Sequence, residues 1–194
     1  MEEQKLFSQV NVKLGQNCTI SPFCSLKNVV LGNNVIIGDW SNLSNVIIGD
    51  NTKIGRNTVL YSAENGKPIK IGKKCWLSYG VFAEGTGDKI EIGDYVVIAH
   101  STKILTSSGP GENSPIMNAL YPKETAPIII GNHSWIGAGC VLLPGAFLEE
   151  GVVCGANSLI PKWEYAAWTV YGGTPAKFLK KLDMNKVALE KNKL

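Results

Sequence analysis

From Ile130 to Ile160 an aliphatic residue returns every six positions, at Ile130, Ile136, Leu142, Leu148 and Ile160, with the small Cys154 in the one gap. A six-residue period is neither the 3.6 of a helix nor the plain alternation of a half-buried strand. It is the spacing of a β-helix built from hexads, each one short strand plus one corner, three of which close a triangular coil. Carried backwards, the frame takes in Leu14, Ile20 and Leu26, then Leu31, Ile37 and Leu43, then Ile48, Ile54 and Leu60. Ile71, Leu77 and Ala83 follow, and then Ile92, Ile98 and Ile104.

The residue after each frame position gives an independent check. After the first member of a triplet it is Gly15, Gly32, Gly49, Gly72, Gly93 and Gly131, with only Glu149 breaking the series. After the second it is always small: Ser21, Gly38, Gly55, Ser78, Ala99, Gly137 and Gly155. After the third it is never glycine. Three kinds of corner mean a three-sided coil, and the frame predicts about seven coils.

The frame slips only after the third member. Two slips are one residue short, in the matching strings L-K-N-V-V-L-G and L-S-N-V-I-I-G. Three are insertions, after Leu60, after Ala83 and, the longest, after Ile104. Insertions in solenoids map to one face, often the binding face. The segment 105–127 is rich in turn formers and reads as an ordered functional loop. The predicted fold is all-β, a single-domain parallel β-helix over 1–162 with that insertion, followed by a capping segment over 163–194. In the cap, Thr174 reads as a helix N-cap with Pro175 at the first helical position, and Phe178, Leu182 and Leu189 share one helical face.

Composition narrows the partners. A net charge of +3 with 18% charged residues excludes disorder and gives no nucleic-acid signal, and six of the lysines lie after Pro175. No apolar run reaches membrane-spanning length. The opening M-E-E-Q-K-L-F-S lacks a signal-peptide profile, so a cytoplasmic location is expected. Cys18, Cys24, Cys75 and Cys140 all take the fifth position of their hexads, where other coils place small residues, and with Cys154 they read as core. Without a CxxC pair, and with only His100 and His133, no metal site is expected.

The strings I-I-I-G-N-H-S-W-I-G-A-G-C-V-L-L-P-G-A, V-C-G-A-N-S-L-I-P-K and W-T-V-Y-G-G-T-P-A-K resemble the hexapeptide-repeat acyltransferases. The branch is that of galactoside, maltose, xenobiotic and polysaccharide O-acetyltransferases. The resemblance implies a left-handed parallel β-helix, a homotrimer, and acetyl-CoA as acyl donor lying along the C-terminal coils between subunits. Mapped by motif, its contacts fall at Trp135, Gly137, Ala138, Gly155 and Ala156, with Thr174 and Lys177 near its nucleotide end. Corner geometry alone explains the same glycines.

The family's catalytic histidine sits on the long insertion, and here its place falls on Gly109 in L-T-S-S-G-P. Replacement bases are His100, whose unperturbed pKa suits the task, and Glu84, which otherwise reads as a solvated corner charge. Ser107 and Ser108 are candidates for acceptor binding, and His133 could approach a neighbouring subunit's site. An amine acceptor needs less help than a sugar hydroxyl. The expected function is acetyl transfer to a sugar or sugar-nucleotide hydroxyl or amine, in surface polysaccharide biosynthesis. The alternative is a catalytically silent binding or scaffold protein.

Overall fold

A computed structural model describes residues 8–63, 65–111 and 113–191. The chain winds as a parallel β-solenoid. On its second face the frame residues stack in register: Ile37 on Ile54, Ile54 on Leu77, Leu77 on Ile98, Ile98 on Ile136, and Ile136 on Cys154. From Leu26 to Ile160 every frame residue is buried. Each such Leu or Ile contributes about 1.5–3 kcal/mol relative to exposure, so the frame is the core. First-face strands add a second inward residue two positions earlier (Val29, Val46, Ile69, Ile90, Ile128 and Ala146), all buried.

The fifth hexad position also points inward, and its polar atoms are used. Ser41, Thr52 and Thr102 donate to the carbonyls of Gly55, Gly72 and Gly137 in the following coil. Cys18, Cys24, Cys75 and Cys140 do the same through sulfur, to Gly32, Gly38, Gly93 and Gly155, at 3.0–3.2 Å. The cysteines are therefore weak donors that satisfy corner carbonyls as well as small core residues.

The first and second corners turn through a residue at positive φ in every coil. At the first corner these are Asn17, Asn34 and Asn51, then Lys74, Tyr95 and His133. Asparagine tolerates the left-handed region, and the three form a side-chain ladder, Asn17 to Asn34 to Asn51, at 3.2 Å each. At the third corner the early strands Ser25–Leu31 and Asn42–Ile48 run across the turn, bending at Asn28 and Asn45, which joins the first and third faces into one sheet. From Tyr61 onward that corner opens, and the insertions emerge there.

The insertion 105–127 carries a strand pair and a short helix. Ser107–Ser108 pairs antiparallel with Glu124–Thr125, and a helix α1, Pro115–Leu120, is capped by the Ser114 hydroxyl, which accepts from the Met117 N–H at 3.4 Å. No residue of α1 is buried, and Ile116 and Leu120 are 75% and 74% exposed.

The C-terminal segment departs from the expected helix. Parallel stacking continues past Lys162: Glu164–Tyr165 pairs with Phe147–Leu148, and Val170–Tyr171 with Val153–Cys154. Tyr165 and Tyr171 stand six apart and take frame positions as aromatics. Thr174 is no N-cap. Lys177–Lys181 is a strand that folds back antiparallel on Thr169–Gly172, pairing the backbone groups of the last second-face strand. A helix, α2, starts only at Met184 and runs to Lys191, and Asp183 accepts from the Asn185 N–H at 3.0 Å.

Candidate active site

The second corner changes character along its length. In the early coils it carries large side chains. Phe23 and Trp40 stack with ring centres 4.1 Å apart, the Arg56 guanidinium lies 5.0 Å from the Tyr79 ring centre, and His100 meets Tyr79 edge-on at 4.9 Å. In the later coils the positions of Arg56, Tyr79 and His100 hold Ala138 and Ala156, and those of Phe23 and Trp40 hold Gly139 and Asn157, with Thr174 continuing the second line through a 3.4 Å hydrogen bond to the Asn157 carbonyl. His100, exposed, stands where the corner goes from crowded to bare. On the Tyr79 rung, the Ser78 hydroxyl is the one buried side-chain oxygen or nitrogen among the described residues without a hydrogen-bond partner.

Gly137 and Gly155, which directly follow the frame residues of this stretch, differ. A Cβ on Gly137 would lie 2.5 Å from the Ala156 nitrogen, so corner packing alone demands glycine there. A Cβ on Gly155 would meet nothing nearer than 3.5 Å, so no neighbour requires its smallness. Trp135 stands on the second face beside this stretch, 54% exposed, and Lys177 opens the folded-back strand opposite Gly172. Trp135, Gly137, Ala138, Gly155, Ala156, Thr174 and Lys177 thus lie along one continuous strip.

Glu84 is not a solvated charge. It is 6% exposed, and its carboxylate accepts from the Thr86 N–H at 2.8 Å and from the Ser107 hydroxyl at 3.2 Å. Burial first, and then the Glu84 charge, push the Tyr61 hydroxyl above its ordinary range. Glu84 and Ser107 meet because the hairpin folds over the third corner, while Ser108, the next residue, is exposed. Gly109 leaves no room for a base: a Cβ there would lie 2.6 Å from the Lys123 Cα. Within one chain, His100 stands at the second corner and Glu84, in register with Leu105, at the third, so five positions at about 3.3 Å each, up to roughly 16 Å, separate them.

His133 belongs to a different corner and a different task. It stacks on Tyr95 at 4.8 Å, Tyr95 receives the Lys74 ammonium at 5.1 Å, and Trp168 lies 6.2 Å beyond His133. These rings continue the asparagine ladder of the first corner. The buried thiols are equally uninvolved. Burial raises those of Cys24, Cys75 and Cys140, and pushes Cys154 up to about 12, so none is a ready nucleophile. Among the described residues no group of three His, Cys, Asp or Glu side chains could hold a metal, and no helix is long and apolar enough to cross a membrane.

Residues 11–45 and 28–62 match the family described as bacterial transferase hexapeptide (six repeats), and 127–162 match the hexapeptide repeat of succinyl-transferase. A dTDP-4-amino-4,6-dideoxy-D-glucose acyltransferase from Escherichia coli is 34% identical over 94 residues, 46% of this chain and 48% of that protein. A chloramphenicol acetyltransferase from Morganella morganii is 40% identical over 110 residues, 48% of this chain and 52% of that protein. The chain thus spans about half the length of these relatives. Among solved structures, AntD, an N-acyltransferase from Bacillus cereus in complex with dTDP and 3-hydroxybutyryl-CoA, superposes with a TM-score of 0.63 at 23% identity, covering 94% of this chain and 89% of AntD. That likeness shows the fold. The matched repeats agree with the observed solenoid, and the relatives this chain is similar to over about half its length are acyltransferases.

Proposed function

We infer that this protein transfers an acetyl group from acetyl-CoA to a sugar, and that an amine is the group acetylated. One observation carries the reading: the second corner is bare over the last coils and crowded beyond His100. A bare ridge lets a long ligand approach the backbone closely. The CoA arm would lie along Ala138, Ala156 and Gly155 beside Trp135, with its phosphates toward Thr174 and Lys177. The thioester would then end at the His100 rung, where the acceptor meets it. The acceptor nitrogen attacks the thioester carbon, the C–S bond breaks, and the nitrogen's proton ends on the departing CoA thiolate or solvent.

The absence of a histidine from the long loop favours an amine, which attacks once deprotonated, over a hydroxyl that needs a positioned base. His100 is the group placed to relay the proton. Such a reaction fits the cytoplasm, among the steps that build surface polysaccharide.

The site is completed by assembly as a cyclic homotrimer. Helix α1 exposes Ile116, Met117 and Leu120, with Tyr121 just beyond it, and the second face exposes Trp76 and Trp135 beside the corner. Apolar surface on a projecting hairpin and apolar surface beside the proposed groove suit one another. The hairpin of one subunit would bring Ser107 and Ser108, held by Glu84, to the next subunit's His100.

The test is acetyl-CoA turnover against matched amino and hydroxy sugars, with a pH–rate profile for wild type and His100→Ala. Turnover on an amino sugar is expected, with His100→Ala lowering kcat by less than about tenfold; a hydroxyl acceptor would show a loss of roughly 10² to 10⁴-fold. CoA binding without turnover across the panel would leave a silent binding protein. No CoA binding at millimolar concentration would remove the proposal altogether.

A further inference from the structure

The second corner carries a cluster that the acyl transfer itself does not use. In its first two coils the left-handed position holds Phe23 and Trp40, both at φ 62°. Bulky side chains are outliers in that region, and the later coils place Asn57, Gly80, Ser101, Gly139 and Asn157 there. At the first corner, comparable outliers are closed into one stack from Lys74 to Trp168. Phe23 and Trp40 instead present an open platform, 43% and 59% exposed. Backbone strain retained where it adds nothing to the core marks a ligand site.

Two charged groups flank the platform. Arg56, the only arginine of the chain, is held over Tyr79 and forms no salt bridge with the described carboxylates. Asp39 immediately precedes Trp40 and is half-buried. Adjacent rungs are about 4.8 Å apart. Moving from His100 toward the N-terminus, they carry Tyr79, then Arg56, then Asp39 with Trp40, then Phe23. The third step lies roughly 14 Å from His100.

We propose that Phe23, Trp40, Asp39 and Arg56 bind the nucleoside diphosphate of a nucleotide-activated sugar. The base stacks on Trp40, a sugar hydroxyl of the nucleoside donates to Asp39, and the diphosphate sits on Arg56. The hexose reaches past Tyr79 to His100. The order of groups along the corner (ring with carboxylate, then cation, then reaction point) is the order of nucleoside, diphosphate and acceptor sugar. An uncharged aromatic acceptor would use the platform and leave the one arginine idle. This assignment rests on the acyl-transfer reading of the same corner.

The test is isothermal titration of thymidine diphosphate, uridine diphosphate, CoA and chloramphenicol into wild type, Arg56→Gln and Trp40→Ala. Both substituted residues are exposed, and CoA affinity serves as the check that each variant is folded. A nucleoside diphosphate is expected to bind wild type and to lose roughly tenfold or more in each variant, with CoA affinity unchanged throughout. CoA binding without nucleoside diphosphate binding, or equal nucleoside diphosphate binding in all three proteins, would overturn the assignment and leave the acyl-transfer reading standing. Chloramphenicol binding that falls with Trp40→Ala and survives Arg56→Gln, with no nucleoside diphosphate bound, would overturn it in favour of an uncharged acceptor. If wild type binds no CoA, the acyl-transfer reading falls, and this assignment with it.

Discussion

The first and second corners solve the same backbone problem with the same kinds of residue and leave opposite surfaces. Both must turn through the left-handed region once per coil, and both place large side chains there or next to it. At the first corner those side chains close on one another, Lys74 on Tyr95, Tyr95 on His133, with Trp168 beyond. At the second they stop at His100, and beyond it the ridge is bare. A corner closed along its length stabilises the stack. A corner that changes abruptly from rings to alanine, glycine and asparagine has room for a ligand on one side and groups to contact it on the other.

If assembly brings the hairpin to the second corner, breaking assembly should have the largest effect. Ile116→Asp combined with Leu120→Asp places two charges on a helix with no buried residue, so the subunit fold is kept. Light scattering should change from a trimer mass to a monomer mass, and acetyl transfer should fall by about a hundredfold or more. A wild-type monomer at micromolar concentration would contradict the assembly.

Glu84→Gln tests the anchor of that hairpin. The carboxylate accepts from Thr86 and Ser107 in a buried site, and an amide that mispairs there costs about 1–3 kcal/mol. Thermal unfolding should shift down by several degrees, with a rise in acceptor KM. An unchanged melting temperature would show that the anchor is idle.

His133→Ala sharpens the contrast between corners. Losing one ring from the first-corner stack should cost about 1 kcal/mol in stability and leave kcat within about twofold. A large loss of kcat would move the site to the first corner.

The smallest effect concerns the core shared by both corners. The Cys154 thiol is raised from 9.0 to about 12 in the folded chain by burial, and then by Cys140. Folding therefore favours the protonated thiol. Its contribution is fully present below pH 9, and is lost as pH climbs from there toward about 12. Denaturant midpoints should be flat from pH 7 to 9 and decline above that, and Cys154→Ala should reduce the decline.

The coil was legible because its cause is local: one aliphatic per hexad, and corner residues whose size is set by the next rung. The last rung was not, because Tyr165 and Tyr171 keep the six-residue spacing with aromatics, which an aliphatic frame passes over. The strand Lys177–Lys181 was hidden for another reason. T-P-A-K has the local pattern of a helix start, and the pairing that overrides it comes from Thr169–Gly172, whose place in the sheet is a property of the whole stack. Glu84 shows the same limit: its burial depends on a hairpin whose second strand lies forty residues downstream, at Glu124–Thr125. The strip from Trp135 to Lys177 followed from family motifs. The Phe23–Trp40 stack did not, since nothing in the string S-P-F-C or G-D-W-S signals that two rings one coil apart will meet.

If the acyl donor lies along the bare stretch of the second corner, filling that stretch should shut it out. Isothermal titration of CoA into wild type, Ala156→Trp and His133→Ala tests it most directly. Ala156 is exposed, so the substitution fills the ridge without entering the core. Wild type and His133→Ala are expected to bind CoA alike, and Ala156→Trp to lose about a hundredfold or more. CoA bound equally well by Ala156→Trp would contradict the account.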